Sequence, residues 1–141
     1  MVAHDYARTY RANSVLTASP GQLVLMLFDG ALKSMNVARE AFARPPEDVR
    51  RIEVINTQLI KAQNIIRELQ GTLNHDAGGD FSRTMERLYD YYLRRLTDAN
   101  LRKQVEPVIE VERLLREVRD AWAEMLRKQD PSSTEGIRGV A

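Results

Sequence analysis

Cysteine is absent from the 141 residues, which excludes a disulfide framework, a thiolate metal site and a cysteine nucleophile together. Histidine is almost absent: His4 stands near the start of the chain and His75 in a glycine-rich stretch. Neither projects from the middle of a helix as a phosphotransfer histidine should. No Glu-x-x-His pair offers a di-iron site, no glycine-rich phosphate loop carries a lysine, and no serine has a histidine partner in a plausible context. The sequence therefore offers no catalytic residue, no metal site and no cofactor site, and it does not read as an enzyme. A charge of one sign is lacking too. Lys and Arg number 21 against 20 Asp and Glu, so nothing points to nucleic acid or an anionic membrane as a partner. The longest uninterrupted apolar run, Leu23 to Phe28, falls far short of the ~20 residues of a membrane span. Met1 to Tyr10 carries no apolar core of the kind a secretory signal needs. A soluble protein, cytoplasmic by default, is expected.

What the chain does have is helical periodicity in four places, with almost no strand signal. Ser19 can cap a helix, Pro20 fits its first position, and Gln22 sits where a capping box places Glu or Gln. That helix should run to about Phe42 and stop before Pro45-Pro46. A second helix is expected from about Pro46 to Leu73, with Ile52, Ile55, Leu59, Ala62, Ile66, Leu69 and Leu73 drawing one apolar seam. Gly71, Asn74 and Gly78-Gly79 mark its end and a turn. A third runs from about Asp80 to Ala99, with Phe81, Met85, Leu88, Tyr92 and Leu96 on one side and Asn100 as a left-handed stop. Pro107 opens a fourth, in which Val108, Val111, Leu115, Val118, Trp122 and Met125 repeat the rhythm. Short connections between long helices fold most simply as an antiparallel up-and-down four-helix bundle. The chain divides into residues 1–18, a lid segment, residues 19–129, the bundle, and residues 130–141, where Ser, Thr and Gly predict a disordered tail. Charged residues four apart, Glu112 with Arg116 and Asp90 with Arg94, are expected to pair on solvated faces. Asp29, between Phe28 and Gly30, is expected to be partly buried and hydrogen-bonded to a neighbouring element.

The first helix has more apolar surface than a bundle needs. Leu23 to Phe28 point all the way round it, whereas about three core positions in seven suffice. The second carries a similar excess in Val54, Ile60 and Ile65. Such faces are buried within the fold, covered by a second copy of the chain, or open as a groove for an amphipathic partner helix. Tyr6, Tyr10, Val15 and Leu16, ahead of the first cap, are apolar enough to lie across the bundle as a lid.

The string from Asn13 to Leu23, NSVLTASPGQL, followed by Met26-Leu27-Phe28-Asp29-Gly30-Ala31, resembles the opening of the FliS flagellar export chaperones, which reads close to VxTASPxxLIxMLYDGAL. The likeness continues through Lys61 to Leu69, Gly78-Gly79, Leu88-Tyr89-Asp90-Tyr91, Arg94-Arg95-Leu96, Ala99-Asn100, and Leu115 to Trp122. It covers about residues 5 to 126, in order. Phe28 stands where the family usually has tyrosine, and nothing after Asp130 is similar. The resemblance implies a chaperone that binds the C-terminal segment of flagellin, disordered in the monomer and helical in the filament. Such a chaperone prevents polymerisation in the cytoplasm and helps present the client to the flagellar type III export gate. It implies no cofactor. It also implies that the N-terminal segment occupies part of the client surface, so Tyr6, Tyr10, Val15 and Leu16 are expected to be a displaceable lid. The seams of the second and third helices supply the candidate groove: Ile55, Leu59, Ala62, Gln63, Ile66, Leu88, Tyr89 and Tyr92. Ala62 would let a client helix approach closely or simply let two bundle helices pack. Gln63 and Asn64 would bond client backbone or face solvent. Against the client reading stands a self-associating bundle whose extra apolar face is its own interface, as at least a weak homo-oligomer.

Overall fold

The computed structural model describes residues 18–129. Four long helices and one short turn of helix make up this part: α1 (Pro20–Phe42), α2 (Arg51–Gly71), α3 (His75–Gly78), α4 (Asp80–Arg102) and α5 (Glu106–Gln129). The fold is all-α. Each long helix packs on two others, in the cyclic order α1, α2, α4, α5. Cross-helix bonds give the directions. Asn56 meets Asn100 and Gln70 meets Asp90 across α2 and α4, while Arg39 meets Glu112 and Trp122 meets Gly21 across α1 and α5. Early residues of one helix face late residues of its neighbour each time, the expected up-and-down arrangement.

The helix starts follow local chemistry. Ser19 Oγ accepts from the Gln22 amide at 3.2 Å and Gln22 Oε1 accepts from the Ser19 amide at 3.1 Å, a complete capping box. Helix α2 begins at Arg51, later than the expected Pro46. Asp48 causes the delay: its amide donates to the Pro45 carbonyl at 3.0 Å, and its carboxylate accepts from the Arg50 amide at 2.9 Å. A side chain that bonds nearby backbone in this way holds a turn against a helix. Asn100 does not stop α4. Its amide donates to Asn56 at 2.8 Å, and the left-handed residue is Lys103 at φ 53°, where the Gln104 amide closes back on the Ala99 carbonyl.

The core takes the expected seams. Ile55, Leu59, Ala62, Ile66 and Leu69 of α2 meet Met35, Ala38 and Ala41 of α1, Tyr92, Leu96 and Ala99 of α4, and Val108, Val111 and Leu115 of α5, nearly all without solvent exposure. The ends of the seams loosen: Ile52, Phe81 and Met125 remain exposed. Polar ties fix the register. The Gln63 amide donates to the Leu93 carbonyl and to Thr97 Oγ1. Glu112 is buried and takes a forked bond from Arg39 of α1, so its 3.6 Å pair with Arg116 is the lesser one. Asp90 accepts from Gln70 of α2 at 2.7 Å, a bond between helices where one within α4 was expected. Asp29 is half exposed and accepts from Arg119 of α5 at 2.7 Å, which ties two helices as anticipated.

Candidate functional site

At the end of the bundle where α1 and α4 begin and α2 and α5 finish, the four helices do not close on one another. They leave an apolar cleft of about 310 Å³. Phe28 of α1 and Met85 and Tyr89 of α4, all buried, form its floor, and Val24, Leu73, Val118 and Trp122 form its sides. Asn74, Ala77 and Gly78 of the α3 segment make one lip, and Phe81, 61% exposed, stands at the rim. No lining residue carries a charge at neutral pH. The Trp122 ring lies 6.5 Å from Phe28, and its Nε1–H donates to the Gly21 carbonyl at 2.9 Å. That bond satisfies the indole's one polar atom and leaves its apolar face to the cleft. A wider, more open furrow of about 640 Å³ lies on the other side of Trp122, between the first turns of α1 and the last of α5, with Leu25, Met125 and Leu126 among its walls.

This geometry accounts for the apolar excess of the first helix. Its opening turns are flanked by both depressions: Val24 and Phe28 face the cleft, Leu25 faces the furrow, and Leu23 and Met26 stay more than a third exposed. An uncharged, largely preformed hollow with few polar groups suits apolar side chains. Among the described residues, no three of His, Cys, Asp and Glu gather as a metal ion would require. No described helix is long and apolar enough to cross a membrane.

The candidate groove residues lie elsewhere. Ile55, Leu59, Ala62 and Ile66 have no exposed surface, Gln63, Tyr89 and Tyr92 are buried, and Leu88 is half-buried. The seams of α2 and α4 face each other, which places most of these residues between the helices. Burial pushes the Tyr89 phenol well above its ordinary range, with the nearby Tyr92 adding to the effect. Burial raises Tyr92 as well, with Glu117 adding to it. Of the eight residues, Tyr89 alone reaches the cleft. Asn64 is exposed. The cleft residues that sequence reasoning placed in the seams or left unassigned are Val24, Phe28, Leu73, Phe81, Met85, Val118 and Trp122. The surplus at Leu23 to Phe28 is the signal that could have found Val24 and Phe28; the others carry no comparable local signal. The lid candidates Tyr6, Tyr10, Val15 and Leu16 and the expected tail lie outside the described residues.

The chain is similar to known proteins along most of its length. The family model "Flagellar protein FliS" matches residues 2–129. The chain is 42% identical over 132 residues to the flagellar secretion chaperone FliS of Bacillus subtilis (strain 168), covering 94% of this chain and 93% of the relative. It is 38% identical over 124 residues to the FliS of Salmonella typhimurium (strain LT2), covering 87% and 88%, and 37% identical over 131 residues to that of Escherichia coli (strain K12), covering 89% and 93%. These relatives are chaperones and not enzymes. With a match along nearly its whole length and relatives well above a third identical, the chain belongs to the FliS family of flagellar secretion chaperones.

Proposed function

We propose that this chain is a cytoplasmic flagellar export chaperone that holds the C-terminal segment of flagellin, keeps it from polymerising, and assists its delivery to the flagellar type III export gate. The observation that carries the reading is the uncharged apolar cleft, open at one end of an otherwise closed bundle, in a chain of this family. At about 310 Å³ it suits the side chains of one helical turn, not a whole helix. The rest of a client helix would lie along exposed apolar residues such as Leu23, Met26 and Phe81. Each large side chain buried contributes about 1.5–3 kcal/mol. Ordering a disordered client offsets part of that and keeps the complex reversible. Tyr6, Tyr10, Val15 and Leu16 are proposed as a lid over this end when no client is bound. Ser19, where the described residues enter α1, borders the furrow beside this end.

Titration calorimetry against the C-terminal segment of the organism's flagellin tests the reading. A 1:1 isotherm with a large negative heat-capacity change, accompanied by a change in the fluorescence of Trp122, is expected. Phe81→Glu should weaken binding at least tenfold without altering the melting temperature, since Phe81 is exposed. Absence of binding by the folded chain would sink the proposal. The self-association reading then moves forward, because Val49, Ile52, Leu101 and Ile109 are exposed near the opposite end of the bundle. It requires a mass that rises with concentration.

A further inference from the structure

Gly78 and Gly79 read in the sequence as a plain turn, yet each is required by a different feature of one short segment. Helix α3 has no buried residue and packs principally on α4. Its internal bonds are local: Asn74 Oδ1 accepts from the Ala77 amide at 3.1 Å, and the Gly78 amide donates to the Asn74 carbonyl at 2.7 Å. Its firm tie to the bundle is Ser82 of α4, a buried residue whose hydroxyl donates to the same Asn74 carbonyl at 2.9 Å. A looser tie places His75 Nε2 3.7 Å from Glu86 Oε2, with both side chains about half exposed. Ser82 comes this close because Gly78 has no Cβ; a methyl group there would overlap the serine hydroxyl. Gly79 then turns the chain into α4 at φ 53° and ψ −124°, a conformation that strains any residue with a side chain.

We propose that Leu73–Gly79 is a lip over the apolar cleft, latched by the Ser82–Asn74 hydrogen bond and hinged at Gly79. Its opening sets how fast a partner's apolar side chains reach the floor formed by Phe28, Met85 and Tyr89. Leu73, Asn74, Ala77 and Gly78 all line the cleft, so moving this segment widens the site without unpacking any long helix. The gating half of the proposal rests on the client reading of the cleft, whereas the latch does not. One hydrogen bond of this kind shifts the closed-to-open ratio by about fivefold, and local openings of this sort fall far below the cost of global unfolding.

The test is amide hydrogen exchange on the full chain, comparing the parent with Ser82→Ala and with Gly78→Ala, which displaces the serine by a different route. In both variants the amides of Asn74 to Gly79 should exchange about fivefold faster, while those of α1, α2 and α5 keep the parent rates. The flagellin C-terminal segment, followed by Trp122 fluorescence after rapid mixing, should associate faster by a similar factor. Unchanged lip exchange in both variants overturns the latch. Faster exchange along every helix overturns it as a local device. Faster lip exchange with an unchanged association rate overturns the gate. If the segment fails to bind even the parent chain, the chaperone reading fails, and the lip is decided by the exchange rates alone.

Discussion

Tyr89 and Tyr92 stand edge to face on α4 with ring centroids 6.2 Å apart, and both phenols are held in their neutral form by burial. The sign of the resulting pH dependence follows from linkage. A phenol whose folded pKa lies above its unfolded value near 10 keeps its proton in the fold after the unfolded chain has lost it. Its stabilising effect is complete below pH 10 and is lost as pH rises beyond. Moving from pH 9.5 to 11 should therefore cost about 1 kcal/mol for Tyr89. Urea unfolding at intervals between these values should show Tyr89→Phe losing less stability than the parent over the same range. Equal slopes for the two proteins would mean that water reaches the Tyr89 hydroxyl. Gln63 shows how one residue outruns its sequence pattern. It was a candidate for client contact, yet its amide is spent on the Leu93 carbonyl and Thr97 Oγ1, partners that lie some thirty positions away and leave no local trace.

Elements were legible where their signals were local. The start of α1 could be read to the residue because Ser19, Pro20 and Gln22 act within one turn, and the seam of α2 because a spacing of three and four is itself helical geometry. The late start of α2 was not legible, since Asp48 competes for the backbone in a stretch that also reads as helix. The single turn α3 is shorter than any periodic signal. Two predictions belong to this scale. Ser19→Ala removes the hydroxyl that accepts from the Gln22 amide, while the backbone N–H that donates to Gln22 Oε1 remains; it should lower stability by about 1 kcal/mol, read from the urea midpoint at constant slope. Gly30 lies inside α1, where a Cβ would sit 3.4 Å from Ile65 Cδ1, an ordinary van der Waals distance. Gly30→Ala should therefore stabilise the chain by about 0.5–1 kcal/mol, through the backbone entropy that glycine loses on forming a helix. A loss of stability would show instead that α1 and α2 approach too closely there for a methyl group.

At the scale of the whole molecule, the site arises from where the bundle stops closing, and that is why its ingredients were legible in the sequence while its position was not. Trp122 and Gly21 are 101 positions apart and share a hydrogen bond. Only the antiparallel course of α1 and α5 brings them together beside Phe28, while seams of equal quality elsewhere seal into core. The same course carries the chain from residue 18 past this end of the bundle, which makes the N-terminal segment the proposed rival of the client for one surface. Competition of this kind lowers apparent affinity by the fraction of time the site is uncovered. A full-length chain carrying Val15→Ser and Leu16→Ser should bind the flagellin segment about tenfold more tightly if the lid covers the cleft nine-tenths of the time. Calorimetry of the double variant beside the parent separates the outcomes. Tighter binding supports a displaceable lid, and unchanged affinity removes it. Weaker binding would mean that Val15 and Leu16 belong to the surface the client grips, with the N-terminal segment extending the cleft instead of closing it.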